Sequence, residues 1–161
     1  MLRRQGPRID ALVGMTLATF AQLCRAHIDT VTLDLHDHPR ANDRWLELLG
    51  EFGLRPQVVI LSGTRVTDKG LAMLAQTNPH LESIYVASTA VTSAGLRHLL
   101  GCPRLLEVIA PNNNLAGGEA TIERLRVFTA QHWSPELGQL PSDYDRVLID
   151  WNHVRPLDPM Y

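Results

Sequence analysis

Cysteine is scarce in this chain of 161 residues, which holds only Cys24 and Cys102. The two form no C-x-x-C pair and are too few for a disulfide framework, so a reducing compartment is expected, with each thiol serving as a small buried hydrophobe. An excess of one charge is also missing. Lys plus Arg number 15 against 17 Asp plus Glu, a net charge of −2, and nothing electrostatic draws the whole molecule to nucleic acid or an anionic membrane. No run reaches the roughly 18 apolar residues that a membrane-spanning helix needs. Neither a Walker pattern nor GxGxxG appears, and Gly117 and Gly118 after Asn112–Asn114 read as turn residues. Ser88, Ser93 and Ser142 lie in no nucleophile elbow. Arg3 and Arg4 ahead of the apolar stretch 11–23 and Cys24 have the outline of an export signal. Against it, Asp10 abuts that stretch, and Gln22 and bulky Leu23 stand where processing requires small residues. A cytoplasmic location is therefore expected. What is present, 45% hydrophobic residues, suffices for the core of one domain spanning 1–161.

The apolar residues recur with a period. LESIYVASTAV from Leu81 and LLEVIAPNNNL from Leu105 both fit LxxLxLxxNxL, and sliding this pattern along the chain finds three further windows. One has Val59, Leu61, Thr64 and Val66 in register behind Pro56. An earlier one has Ile28, Val31 and Leu33, with His36 and His38 in its ninth and eleventh slots. A late one has Tyr144, Val147, Ile149, Asn152 and Val154 after an insertion at 133–142 punctuated by Pro135, Gly138 and Pro141. Between strands, VTDKGLAMLAQTNP and VTSAGLRHLLGCP read as helices, with Thr67 or Asp68 and Thr92 or Ser93 as N-caps and Pro79 and Pro103 as stops. Leu71 with Leu74, and Leu96 with Leu99 and Leu100, supply their buried faces. Residues 10–27 are expected to form an N-terminal capping helix, 28–119 four repeat strands with helices, 120–154 a helix, the insertion and a fifth strand, and 155–161 a tail.

The run TxVTDxGLxxL at Thr64–Leu74, repeated approximately at Thr89–Leu99, together with the C-P-x-L step of Cys102, Pro103 and Leu105, resembles leucine-rich repeats of the cysteine-containing, ribonuclease-inhibitor-like type. The resemblance extends over about two-thirds of the chain. It implies an α/β fold: a short right-handed solenoid with about five parallel strands on a concave, protein-binding face and helices on the convex one. Some members of that family are F-box adaptors, but Ile9–His27 lacks an F-box pattern.

Strand side chains alternate, so the third, fifth and seventh repeat positions point away from the helices. Position three gives Thr30, Val58, Ser83, Glu107 and Arg146. Position five gives Thr32, Ile60, Tyr85, Ile109 and Leu148, and position seven gives Asp34, Ser62, Ala87, Pro111 and Asp150. The central column is apolar although it is expected to meet solvent, and a patch of that kind marks an interface. The expected partner-binding surface is therefore Ile60, Tyr85, Ile109 and Leu148 with adjoining Val58, rimmed by Asp34, Glu107, Arg146 and Asp150. Tyr85 is the anchor, since its ring and hydroxyl combine area with a directed hydrogen bond. An external protein, self-association or cover by the chain's own insertion or tail would each account for the column.

Chemistry has weaker support. His36, Asp37 and His38 could begin a metal site for a hydrolase, but no third and fourth ligand is identifiable. Asp150 and His153, with Asp145 nearby, lack a nucleophile or cleft to complete an acid–base site. The sequence thus points to a non-catalytic protein-interaction module, such as an adaptor, inhibitor or assembly factor, with no cofactor and no catalytic or metal-binding residues. A metal-dependent hydrolase built on the His36/His38 turn and a structural subunit with a permanently covered apolar face are the alternatives.

Overall fold

The computed structural model describes residues 8–10 and 14–125. Their fold is α/β, an alternation of short strands and helices in the manner of a leucine-rich-repeat solenoid. Strands β1 (Arg8–Asp10), β2 (Thr32–Asp34), β3 (Val58–Ile60), β4 (Ser83–Tyr85) and β5 (Glu107–Ile109) line up in chain order in one parallel sheet. After them come helices α1 (Leu17–Ala26), α2 (Asp43–Phe52), α3 (Asp68–Thr77), α4 (Ser93–His98, extended by a 3-10 turn at Leu99–Gly101) and α5 (Glu119–Leu125).

The register places Ile9, Leu33, Val59, Ile84 and Val108 in one row across the sheet. All five are buried, together with Phe20, Cys24, Trp45, Leu49, Leu71, Leu74, Leu96 and Leu99 from the helices. The core is therefore the layer between the sheet and the helices. Pairing also outruns the three-residue strands. Leu35 N donates to Ile60 O (2.8 Å), Leu61 N to Tyr85 O (2.7 Å) and Val86 N to Ile109 O (2.8 Å), so buried backbone groups beyond the strand ends are satisfied repeat to repeat.

Two sequence expectations are corrected. The first window is displaced by two residues, since Leu33, and not Val31, aligns with Val59, and His38 takes the ninth slot in place of His36. A displacement of two preserves the facing of every side chain, because the strand period is two. Asp34 thus joins Ile60, Tyr85 and Ile109 in the central column, where Thr32 was expected. The N-terminal cap is not one helix over 10–27. A strand at Arg8–Asp10 pairs with β2, and α1 begins only at Leu17, where the side chain of Thr16 accepts from Thr19 N at 3.2 Å. The fifth strand expected around Tyr144–Val154, the insertion and the tail lie outside the described residues.

The TD-x-G motif acts between repeats. Thr67 and Thr92 cap their own helices by accepting from Lys69 N and Ala94 N. Each is in turn gripped by the aspartate that opens the preceding helix. Asp43 accepts from Thr67 N (2.8 Å) and Thr67 Oγ1 (2.5 Å), and Asp68 accepts from Thr92 N (2.7 Å) and Thr92 Oγ1 (2.5 Å). Gly70 and Gly95 leave room for this, since a Cβ at either would lie 2.2 Å from the carboxylate oxygen of Asp43 or Asp68. Threonine, aspartate and glycine at these spacings therefore make one inter-repeat clamp, charge-assisted and bidentate.

Candidate functional site: the outward face of the sheet

The face of the sheet turned away from the helices is graded. Position three runs Arg8, Thr32, Val58, Ser83, Glu107 and position five runs Asp10, Asp34, Ile60, Tyr85, Ile109. Position five is acidic on β1 and β2 and apolar from β3 to β5, while position three carries Ser83 and Glu107 on β4 and β5. At the polar end, Asp34 is the hub. It accepts from Arg8 Nη2 at 2.8 Å, its Oδ1 lies 2.6 Å from His36 Nδ1, and it also accepts from His36 N at 3.1 Å. Arg8 Nε reaches Asp10 Oδ1 at 2.7 Å. Burial alone pushes the Asp34 carboxyl upward, but the hydrogen bonds from His36 and the charges of His36 and Arg8 outweigh it and hold the pKa below the usual range. The Asp34 hydrogen bond is the largest influence on His36 and raises its pKa.

This pair predicts a pH dependence. Because the folded pKa of His36 is raised, its contribution to stability is present in full below the unfolded histidine pKa and is lost as pH rises through the folded one. The contribution from Asp34 has the opposite sign: it is present above the unfolded carboxyl pKa and is lost as pH falls through the depressed one. Urea midpoints of wild type and His36→Gln are therefore expected to differ most in mild acid and to converge above neutrality. The difference is modest, since the His36 side chain is 40% exposed and solvent screens the pair.

At the other end, Ile60 and Tyr85 are 2% exposed and Ile109 is fully buried. Ala87 and Ser62 beside them are fully buried, Val58 is half-buried, and Glu107 is buried with Oε1 accepting from Ser83 Oγ at 2.9 Å. The column expected to meet solvent is thus outward-facing but covered. Left in water, three such side chains would cost about 1.5–3 kcal/mol each. Of the expected surface residues, the sheet brings together Asp34, Val58, Ile60, Tyr85, Glu107 and Ile109, whereas Arg146, Leu148 and Asp150 lie outside the described residues.

The two histidines of the first turn diverge in role. His38 is buried, its ring 4.8 Å from that of Trp45, and its Nδ1 accepts from Arg40 N at 3.2 Å. His36 is exposed and turned to Asp34. Among the described residues no group of three His, Cys, Asp or Glu side chains is arranged to hold a metal ion. Burial pushes the Cys24 thiol up to about 12 and raises that of Cys102, so neither is primed as a nucleophile. Sequence reading missed Arg8 and Asp10 as members of this face. The available signal was Ile9, which stands 24 residues before Leu33, one repeat length away.

No protein-family model matches the chain, and no curated protein matches it. Among solved structures, the fold is similar to that of "Leiomodin-1 Actin-Binding Site 2 (ABS2)", with a TM-score of 0.51 over 72% of this chain and 80% of that one, at 15% identity. No helix among the described residues is long and apolar enough to cross a membrane.

Proposed function

We propose that the chain is a non-catalytic protein-interaction module of the leucine-rich-repeat type, close in its TDxGL and CP steps to the cysteine-containing subtype, that works in the cytoplasm. Its binding surface is the outward sheet face, with Ile60, Tyr85 and Ile109 as the apolar centre, Val58 beside them, and Asp34 and Glu107 as charged flanks. The observation that carries this reading is the apolar position-five column of Ile60, Tyr85 and Ile109 set between Asp34 and Glu107, which suits a protein partner that needs both register and buried area. The similarity to a domain titled as an actin-binding site supports a protein as the class of partner. The divergence of His36 and His38 gives the hydrolase alternative no support.

The test is affinity purification from native extract with wild type, Tyr85→Ala and Asp34→Ala, each first checked for folding by circular dichroism. A partner held by wild type and lost from a folded variant supports the reading. An unchanged partner set with both folded variants moves the interface elsewhere on the molecule.

A second reading is favoured by one observation, the burial of Ile60, Tyr85 and Ile109 in the isolated chain. It makes this face a permanently covered internal layer of a structural subunit.

A further inference from the structure

The helix-to-strand turns carry a separate pattern, at the edge of the sheet where the strands begin. Asp29, Arg55, His80 and Arg104 each stand two residues after a helix cap, at His27, Gly53, Asn78 and Cys102, and four residues before the core row of Leu33, Val59, Ile84 and Val108. They therefore form one column across the repeats, and all four are exposed. The column is acidic only at β2. Glu82 is the one carboxylate between Lys69 and Leu106, and it is buried. No carboxylate among the described residues pairs with Arg55, His80 or Arg104.

The backbone holds these turns in place. Gln57 N donates to Val31 O (2.9 Å), Glu82 N to Gln57 O (2.8 Å) and Leu106 N to Glu82 O (2.7 Å). The buried Asn78 side chain adds a tie between neighbouring turns, its Nδ2 donating to Pro56 O at 2.7 Å and its Oδ1 accepting from His80 N at 3.1 Å. Cations near a helix C-terminus are favourable in themselves, and Arg55 Nη1 does donate to Gly53 O at 3.2 Å. That role does not account for Leu106. It stands two residues after Arg104 on the same edge and is 65% exposed, the most exposed large apolar side chain among the described residues.

We propose that this edge is a docking ledge for an extended acidic segment of a partner protein, whose carboxylates meet Arg55, His80 and Arg104 and whose apolar side chain rests on Leu106. Successive repeats are about 4.8 Å apart at the sheet and about 8–10 Å apart at the helices, so neighbours in the column are separated by a distance between those limits. Carboxylates at alternate positions of an extended chain recur every ~6.7 Å, which falls inside that interval. Arginine adds forked donors suited to carboxylates. A nucleic acid fits less well, because Asp29 would repel a polyanion running on along the column and the net charge of −2 gives it no long-range attraction. The ledge is separate from the outward sheet face and does not depend on the reading of that face.

The experiment uses the full chain and fluorescence anisotropy. The probe is a capped, labelled peptide of about eight residues, with glutamate at alternate positions and leucine at each end, long enough at roughly 3.4 Å per residue to span the column. Its counterparts are the same peptide with glutamine for glutamate and a single-stranded RNA of equal charge. Saturable binding of the acidic peptide is expected, weakened at least about tenfold by Arg55→Glu combined with Arg104→Glu and about threefold by Leu106→Ser. The glutamine peptide is expected not to saturate. Failure of the acidic peptide to bind wild type overturns the proposal, as does equal affinity for wild type and the double variant. RNA that binds wild type more tightly than the peptide and is released by the double variant assigns the edge to nucleic acid, which also overturns it. If the double variant loses its circular dichroism signature, Arg55→Gln with Arg104→Gln takes its place. None of these outcomes bears on the Tyr85→Ala and Asp34→Ala test of the outward face.

Discussion

Gly95→Ala is expected to destabilise the protein by about 2–4 kcal/mol, although intrinsic helix propensity alone would make it stabilising by about 1 kcal/mol. The added Cβ would lie 2.2 Å from Asp68 Oδ1 and 3.0 Å from Asp68 Cα. Rotating the aspartate away relieves the first contact but breaks its bonds to Thr92 N and Oγ1, and the second contact is with backbone. Overpacking of this kind costs roughly 1–3 kcal/mol, and each hydrogen bond to a charged group is worth about 1.5–3 kcal/mol. The two losses are partly exclusive, which sets the range. Gly101→Ala is the control, because a Cβ there meets nothing within 4 Å. Urea denaturation of both variants beside wild type measures the contrast. A Gly95→Ala midpoint at or above wild type would show that the clamp contributes little.

Ile109→Glu is expected to destabilise the fold by at least about 3–5 kcal/mol, the range for an uncompensated buried charge. Ile109 is fully buried, with Tyr85 beside it on β4 and the Glu107 carboxylate two residues back on the same face, so the new charge is both desolvated and next to one of like sign. Ile28→Glu, at a side chain 62% exposed, is expected to shift stability by no more than about 0.5 kcal/mol. Circular dichroism melts separate the two. If Ile109→Glu melts like wild type, the apolar column is open to water after all, as its sequence position alone suggests.

That contrast marks where the sequence stops being legible. Strands β3 to β5 and helices α3 and α4 could be read from Val59, Ile84 and Val108 and from the Thr-x-x-Gly steps at Thr67–Gly70 and Thr92–Gly95, because local periodicity and capping dictate them. The first repeat could not be aligned by the same means. Val31, Leu33 and Leu35 are spaced by two, so two registers satisfy the pattern equally, and only pairing with β3 chooses between them. Strand β1 was hidden because Ile9 is the one core residue in a three-residue strand and the apolar residues after it suggest a helix. Alternation identified correctly which side chains leave the core, including Ile60, Tyr85 and Ile109. It could not show whether they reach water, because exposure is a property of the tertiary structure and not of strand alternation.

The clamps also carry a direction. Each aspartate holds the start of the following helix, so a repeat is pinned by its predecessor, and nearest-neighbour coupling is what makes a stacked array melt cooperatively. The relay weakens after α4. Ser93, at the position of Asp43 and Asp68, carries no charge and its hydroxyl donates to Ala116 O at 3.2 Å. Amide exchange is therefore expected to be slowest from α2 to α4 and faster over Ala116–Leu125, so among the described repeats opening begins at α5 and travels back along the stack.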